Sequence, residues 1–282
     1  MIFRKYSGEK LCMKHFLRSV EKRVYLDLRN YLKEDLRVGL AVSGGKDSLT
    51  MAYIVKKYVK EKFKSAKIYG LIVDEGIAGY RDTSVKKAEK ILSELKIDYE
   101  ITSFSDIFSI TLDEMMKSKE RVKMVCTFCG VLRRRALDML AKKMKLNLLL
   151  TGHNASDIAQ TILLNVIQGN VKNLATTEIF PGVIRREKPL KNILEKETTL
   201  YAVFRGIDFC SIPCPYVRYS LRNDIRNFLS KLEYDHPGIT YSIMHFGEKL
   251  KEKIKMKIEI KRCKICGYPT TREVCKTCEL LR

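Results

Sequence analysis

Short apolar runs alternate with amphipathic stretches along the first two thirds of the chain. Segments typical of strands lie at 38–42, 67–73, 98–104 and 147–151. Segments with helical spacing lie at 17–36, 48–63, 82–96, 131–145 and 155–168. Because strands alternate with helices, the pattern predicts an α/β fold, with a doubly wound, mostly parallel sheet that helices cover on both faces.

Polar residues follow three of the predicted strands. The hexapeptide Ser43-Gly44-Gly45-Lys46-Asp47-Ser48 follows the first strand, Asp74 follows the second, and Gly152-His153-Asn154 follows the strand at 147–151. Ligands of such sheets bind beyond the carboxyl ends of the strands. We therefore expect all three segments to face one crevice.

The hexapeptide forms a glycine turn between a strand and a helix. Such a turn directs backbone N–H groups and the positive end of a helix dipole towards an anion, which predicts a phosphate site. Lys46 adds charge, and Asp47 would lie in the first helical turn. The motif is not a Walker A loop, because Asp47 follows Lys46 and Leu40 replaces the first glycine. It also lacks the dinucleotide fingerprint. The alternative is a plain connecting turn.

Nine cysteines suggest metal binding, because six of them fall in three C-x-x-C pairs. Cys126 and Cys129 precede the helix predicted at 131–145, and the next cysteines along the chain are Cys210 and Cys214. The residues alone leave several interpretations open. These cysteines could form a redox pair, a zinc site, an iron–sulfur site with three cysteine ligands, or simply buried thiols.

The last cysteines have the spacing C-x2-C-x8-C-x2-C and predict a closed, structural zinc site: Cys263, Cys266, Cys275 and Cys278. Residues 247–262, rich in Lys, Glu, Ile and Met, predict a connecting helix or a charged strand. The domains predicted are an N-terminal segment with a helix (1–30), the main α/β domain (31–245), and a linker with a small zinc-ribbon-like module (246–282).

The formal net charge of +21 predicts a polyanionic partner, most often nucleic acid. A lysine-rich solvated surface is the alternative. No apolar stretch reaches the roughly 18 residues that span a bilayer, and the N-terminus has no apolar signal-peptide core. The composition therefore predicts a soluble, cytoplasmic protein that does not bind membranes.

Several motifs together resemble one family. The hexapeptide is similar to the PP-loop of the ATP pyrophosphatases, which adenylate a substrate oxygen and release pyrophosphate. The runs Asp74–Asp82, Cys126–Leu137, Thr151–Asn154 and Cys214–Tyr216 resemble the TtcA/TtuA group of tRNA thiolases, and are closest to its archaeal and eukaryotic branch. That branch makes 2-thiouridine at the tRNA wobble position.

The resemblance implies ATP-dependent 2-thiolation of a tRNA uridine, with release of AMP and pyrophosphate. ATP and Mg²⁺ would bind at the hexapeptide, with Val73, Gly152 and His153 also lining the nucleotide site. Cys126, Cys129 and Cys214 would hold a [4Fe–4S] cluster that carries sulfur. The implied sulfur donor is sulfide or the thiocarboxylate of a ubiquitin-like carrier protein, and a homodimer is plausible.

Wobble uridine 34 is the expected target, and three alternatives remain open. One is thiolation of uridine or ribothymidine 54. Another is a persulfide relay through Cys126 and Cys214 without iron. The third is a non-catalytic, RNA-binding zinc protein. The intact hexapeptide argues against the third alternative.

Asp157, Cys126, Cys214 and Lys46 are the expected catalytic residues. The resemblance implies that Asp157 acts on the substrate, although the family usually has two adjacent Asp residues here and this chain has Ser156 before Asp157. Asp157 could equally be a charge that stabilises a helix N-terminus.

Other residues near these motifs have less specific interpretations. Arg133 could contact phosphate, stabilise an oxyanion or be an ordinary helix arginine. His153 is more often a hydrogen-bonded structural residue than a base, and Cys210 more often a packing residue. The family's N-terminal zinc site would need more ligands than Cys12 and His15, so we expect no stable zinc there.

Overall fold

The computed structural model describes residues 1–63, 65–175, 182–254 and 259–282. The strands in these ranges are β1 Ile2–Arg4, β2 Glu9–Leu11, β3 Arg37–Ala41, β4 Lys67–Asp74, β5 Asp98–Ser103, β6 Leu148–Thr151, β7 Arg185–Glu187, β8 Lys261–Arg262 and β9 Pro269–Thr270. The helices are α1 Met13–Leu28, α2 Lys46–Lys62, α3 Arg81–Glu94, α4 Phe104–Phe108, α5 Leu112–Met115, α6 Lys119–Val122, α7 Val125–Lys143, α8 Ala155–Ile167, α9 Val171–Ala175, α10 Glu195–Phe204, α11 Leu221–Asp235, α12 Ile239–Lys253 and α13 Lys276–Leu281. None of these helices is long and apolar enough to cross a membrane.

A five-stranded sheet with the order β5-β4-β3-β6-β7 forms the centre of the fold. All four neighbouring pairs are parallel. The order turns back at β3, which pairs with both β4 and β6. This arrangement confirms the predicted doubly wound α/β fold, and it leaves a crevice at the carboxyl edge beside β3.

Successive residues of the central strands point into two different cores. In β4, Ile72 packs into a core with α1, α2 and α10, whereas Leu71 and Val73 pack into a second core with α7. In β6, Leu150 faces the first core and Leu149 faces the second. Since side chains alternate between the two faces of a strand, a strand buried on both faces appears in the sequence as a continuous apolar run.

Two predicted helix boundaries differ from the structure. The helix predicted at 17–36 begins at Met13 and ends at Leu28. The helix predicted at 131–145 begins at Val125, so Cys126 and Cys129 lie inside its first turns. Val125 and Phe128 are buried in the same core as Leu132, because they continue the apolar stripe of α7 towards its N-terminus.

The boundary predicted between residues 245 and 246 falls inside helix α12. Met244 of this helix packs with α8 and α11 through Ala159 and Leu229, which attaches the helix to the main domain. Of the predicted 247–262 segment, residues up to Lys253 are helical, 261–262 form β8, and 255–258 lie outside the described residues.

The C-terminal module packs against α7. The Tyr268 hydroxyl donates to a carboxylate oxygen of the buried Asp138, and Leu280 enters the second core. The Arg135 guanidinium lies 3.9 Å from the centroid of the Tyr268 ring. These contacts attach the four-cysteine module to the helix that carries Cys126 and Cys129.

Gly44 is held in a conformation that other residues rarely adopt. Its φ is +83°, and an added Cβ would lie 1.9 Å from the carbonyl oxygen of Ser84. We therefore expect Gly44→Ala to lower the free energy of unfolding by about 2–5 kcal/mol. Chemical denaturation measures this loss.

Gly45→Ala is the matched control, because the nearest atom to its added Cβ is the Ser43 hydroxyl at 3.6 Å. Gly45 is the N-cap of α2, where alanine costs about 1 kcal/mol or less relative to glycine. Equal losses for the two variants would contradict this account of the turn.

Candidate active site

The hexapeptide closes on itself at the start of α2. The Ser43 N–H donates to the Ser48 hydroxyl over 3.1 Å, and that hydroxyl donates to the Gly45 carbonyl over 3.0 Å. Among the described residues, no side chain caps the N-terminus of α2. The first N–H groups of α2 therefore have no side-chain acceptor at this cap, and they suit a phosphate in charge and direction.

Two carboxylates hold the ammonium group of Lys46. Its Nζ lies 2.7 Å from Asp47 Oδ2 and 3.0 Å from Glu195 Oε1. The other Asp47 oxygen accepts a hydrogen bond from the Thr198 hydroxyl. Burial lowers the pKa of Lys46, but Asp47 and Glu195 raise it, and the pKa ends above its usual value. Lys46 is thus charged at neutral pH and held beside the turn.

Gly152 brings β6 against the start of α2. A Cβ at this position would lie 2.8 Å from Ser48 Cα, so only glycine allows this close approach. The next residue, His153, shares a hydrogen bond of 3.0 Å between Nδ1 and the Thr151 hydroxyl. Gly152 and His153 therefore lie beside the hexapeptide, at the edge where the sequence predicted them.

Asp157 occupies the first turn of α8 and forms a capping box with Asn154. The Asp157 N–H donates to Asn154 Oδ1 over 3.0 Å, and Asp157 Oδ2 accepts from the Asn154 N–H over 3.1 Å. The helix-stabilising role of this carboxylate is therefore present in the structure. Burial raises the pKa of Asp157, the Asn154 N–H lowers it, and the nearby charges of Asp47 and Glu195 raise it.

Three carboxylates lie close together beside Lys46: those of Asp47, Asp157 and Glu195. Carboxylate oxygens are the ligands that Mg²⁺ prefers. Among the described residues, the four C-terminal cysteines are the one group of three or more potential metal ligands whose ligand atoms lie within 4.8 Å of one another. The three carboxylates thus have suitable chemistry for a phosphate-bound Mg²⁺, but they do not form a closed cage for a single ion.

Cys126, Cys129 and Cys214 meet on the α7 side of the sheet. Cys126 is exposed, whereas Cys129 and Cys214 are half-buried against the second core. Burial raises the pKa of both half-buried thiols, and Cys126 is close enough for its charge to raise the pKa of Cys214. The Arg133 Nη2 donates to Cys129 Sγ over 2.9 Å.

This donor set fits a cluster better than a single ion. The three thiols do not lie within single-ion distance of one another. They also come with an N–H donor to a ligand sulfur, which is typical of iron–sulfur sites. With three thiol ligands, one iron of a four-iron cluster would have no protein ligand.

A main-chain hydrogen bond joins the cysteine segment to the hexapeptide. The N–H of Cys210 donates to the carbonyl oxygen of Gly44 over 2.9 Å. Cys210 therefore contributes through its backbone, and its thiol is half-buried four residues before Cys214. This contact fixes the segment that carries Cys214 against the predicted phosphate site.

Val73 lies at the end of β4, but its side chain packs into the second core and is 4% exposed. Its carbonyl oxygen accepts a hydrogen bond from Arg81 Nη2 over 2.5 Å. Val73 could therefore contact a nucleotide only through its backbone. Its place in the nucleotide site stays a prediction.

Cationic side chains converge on the same crevice. Arg222 Nη1 donates to the Thr161 hydroxyl over 3.1 Å and lies 3.5 Å from the carbonyl oxygen of Asp157. Lys188 follows β7 directly, its charge lowers the pKa of His153, and the charge of Arg222 lowers the pKa of Lys188. Burial and neighbouring cations lower the pKa of Lys188, which indicates a crevice suited to an anion.

The four C-terminal cysteines form a compact group. Cys266 Sγ and Cys275 Sγ lie 3.7 Å apart, and the Cys275 N–H donates to Cys263 Sγ over 3.2 Å. Backbone N–H groups, first that of Cys275, lower the pKa of Cys263 to about 6. Four convergent thiols with N–H donors suit a tetrahedral metal such as zinc.

Cys12 and His15 form a separate pair near the N-terminus. Cys12 Sγ lies 3.1 Å from His15 Nδ1, and both side chains are exposed. Among the described residues, no third metal-ligating side chain joins them at single-ion distance.

Some site residues were not identified from the sequence. Glu195 starts α10, far along the chain from Lys46, and no local motif marks it. Glu75 and Arg81 lie within the run Asp74–Asp82, but the run assigns them no role. Their charge and their position after a buried strand were the only features of the sequence that could have marked them as site residues.

The fold and the site define a nucleotide-binding α/β protein with a PP-loop and a neighbouring thiol site. A model of the PP-loop domain matches residues 14–233, so the chain belongs to the PP-loop family, together with sulfurtransferases and tRNA 2-thiolation proteins to which it is more than 30% identical.

Two curated relatives match nearly the whole chain. It is 39% identical to a probable sulfurtransferase of Methanocaldococcus jannaschii, over 99% of this chain and 84% of that protein. It is 35% identical to cytoplasmic tRNA 2-thiolation protein 1 of Laccaria bicolor, over 100% of this chain and 82% of that protein. The predicted cytoplasmic localisation agrees with the latter name.

A solved structure agrees with the family assignment. The fold matches the U34-tRNA thiolase NcsA from Methanococcus maripaludis, solved with its [4Fe-4S] cluster, with a TM-score of 0.89 and 36% identity. The match covers 99% of this chain and 92% of that chain.

His153 provides a pH test of the crevice. Burial lowers its pKa from 6.5 to about 4, and the cations Lys188 and Arg222 contribute further. We expect its ring proton resonances to titrate near pH 4 in NMR spectra, with assignment by their loss in His153→Asn. A midpoint near 6.5 would contradict a buried, cation-lined crevice.

The lowered pKa of His153 makes the folded protein more stable at neutral pH than at acidic pH. Because the pKa of His153 is lower in the folded than in the unfolded chain, protonation favours unfolding. The contribution of the neutral ring is complete above pH 6.5 and is lost as the pH falls towards about 4.

Proposed function

We propose that the protein is an ATP-dependent tRNA 2-thiolase that adenylates O2 of a uridine and replaces this oxygen with sulfur. The observation that carries the proposal is the contact between its two half-sites. The Cys210 N–H bonds to the Gly44 carbonyl over 2.9 Å, which holds the cysteine segment against the PP-loop. Nucleotide activation and sulfur delivery are thereby adjacent.

The PP-loop supplies the activation half of the reaction. The uncapped N–H groups at the start of α2 and the charged Lys46 would hold the phosphates of ATP. Asp47, Asp157 and Glu195 would orient Mg²⁺ on those phosphates. When ATP binds, its phosphates offer Lys46 a new anionic partner in place of Glu195.

The cysteine half supplies sulfur. Cys126, Cys129 and Cys214 would hold a [4Fe–4S] cluster, which would supply an iron without a protein ligand as the binding site for the sulfur. Arg133 donates a hydrogen bond to Cys129 Sγ, and its charge would stabilise the negative charge that develops on the departing AMP. Asp157 keeps α8 capped and adds a carboxylate near the substrate.

Uridine 34 is the proposed target, supported by the similarity to the M. maripaludis U34-tRNA thiolase. Thiolation at position 54 and an iron-free persulfide relay through Cys126 and Cys214 are the alternatives. Nuclease digestion of thiolated tRNA with mass spectrometry separates the two positions. Iron analysis of anaerobically prepared protein separates a cluster from a persulfide.

We also propose a structural zinc ion, a sulfur donor and a homodimer. The C-terminal cysteines would hold a structural Zn²⁺, which fits their compact geometry. The sulfur donor is sulfide or a carrier-protein thiocarboxylate. A homodimer is also proposed, from family resemblance alone.

Cys126→Ala tests the cysteine half separately from the PP-loop. We expect loss of cluster absorbance and of thiolation, with ATP affinity unchanged, because Cys126 is an exposed residue on α7 outside the PP-loop. Absorbance spectra, isothermal calorimetry with an ATP analogue and thiouridine assays measure these effects.

Cys210→Ala is the control for that experiment. Its main-chain N–H keeps the bond to Gly44, and we expect cluster and activity to be retained. Full thiolation by Cys126→Ala would rule out the cluster, and loss of the cluster in Cys210→Ala would reassign the third ligand.

Lys188→Gln tests whether the cationic side of the crevice binds tRNA. If Lys188 contacts an RNA phosphate, the slope of log K against log[salt] should become shallower by about 0.7–0.9. Lys142→Gln, an exposed lysine at the far end of α7, should leave the slope unchanged. A wild-type affinity independent of salt would contradict tRNA as the partner.

A further inference from the structure

A chain of charged side chains links the PP-loop to Cys129. It begins at Arg81, whose Nη1 donates to the Ser43 carbonyl over 3.0 Å and whose Nη2 donates to the Val73 carbonyl over 2.5 Å. Nη1 also donates to the Ser84 hydroxyl over 2.9 Å. Arg81 is 3% exposed, and these three acceptors fix its position on the PP-loop side.

Glu75 continues the chain from Arg81 to Arg133. Its Oε2 lies 2.7 Å from Arg81 Nε, and its Oε1 lies 2.5 Å from Arg133 Nε. Arg133 Nη2 in turn donates to Cys129 Sγ over 2.9 Å. Glu75 is 2% exposed, so its carboxylate is buried between two guanidinium groups.

The two arginines differ in what else holds them. Arg81 keeps its carbonyl and hydroxyl acceptors without Glu75, and its side chain is buried. The side chain of Arg133 is 45% exposed, and apart from Glu75 its hydrogen-bond partner among the described residues is Cys129. Without the carboxylate, repulsion from Arg81 would drive Arg133 towards solvent.

We propose that Glu75 is the positioning residue that holds Arg133 against Cys129 and anchors it, through Arg81, to the PP-loop. This proposal rests on the proposed function, because Glu75 would hold the sulfur site and the nucleotide site at a fixed position relative to each other. Glu75 acts through the arginines and does not touch the substrate.

Crystal structures of the metal-free protein test the geometry directly. In the wild type we expect Arg133 to donate to Cys129 Sγ, and in Glu75→Gln we expect its guanidinium to turn out to solvent. Glu100→Gln, which removes a carboxylate paired with Lys143 on the surface, should leave Arg133 in place. An unmoved Arg133 in Glu75→Gln would overturn the proposal. This result does not depend on thiolation activity, so it separates this proposal from the proposed function.

The reduction potential of the reconstituted cluster gives a second readout. An N–H donated to a ligand sulfur favours the reduced cluster and raises the potential. We expect Glu75→Gln and Arg133→Met each to lower the potential, and the double variant to match Arg133→Met. A further drop in the double variant would show that Glu75 does not act through Arg133.

Kinetics and a milder variant complete the test. Glu75→Gln should lower kcat for thiolation while the KM for ATP stays unchanged, because Arg81 keeps its PP-loop contacts. If Glu75→Gln fails to fold, Glu75→Asp, which keeps the charge but withdraws the carboxylate, should give an intermediate potential. A wild-type potential in Glu75→Asp would then overturn the proposal.

Discussion

The buried guanidinium of Arg81 holds the ends of two neighbouring strands together. It accepts no hydrogen bond, and it donates to the carbonyls of Ser43, which lies just after β3, and of Val73, which lies near the end of β4. Val73 is buried, and a buried carbonyl without a donor is costly, so the Arg81 guanidinium stabilises the loop after β3 against the end of β4. The shape of the PP-loop, and the room for a phosphate beside it, depend on this interaction.

The remaining site is built outward from that edge. Gly152 lets β6 approach the start of α2, and the Gly44 carbonyl holds the segment that leads to Cys214. Carboxylates gather on the Lys46 side of the crevice, and cations gather around His153. The two regions of opposite charge suit a metal-bound triphosphate and an RNA backbone, respectively.

The sequence predicted the fold and the main motifs well. Strands that are buried on both faces appear as continuous apolar runs, and helices show apolar residues at regular helical spacing. It did not predict β7, since Arg185–Glu187 is a short, polar edge strand without an apolar pattern. The start of α7 was placed late because the glycine after Cys129 interrupts the pattern. Glu195 and Glu75 could not be assigned, because their partners are far along the chain and meet them only in the folded sheet.

The central claim is that the PP-loop and the three cysteines serve a single reaction. An anaerobic single-turnover assay tests it, with reconstituted protein, ATP, sulfide and unmodified tRNA, in which AMP, ADP, pyrophosphate, phosphate and 2-thiouridine are all counted in the same sample. The account predicts one AMP and one pyrophosphate for each 2-thiouridine formed. Thiouridine that appears without AMP, or with ADP and phosphate instead, would contradict it.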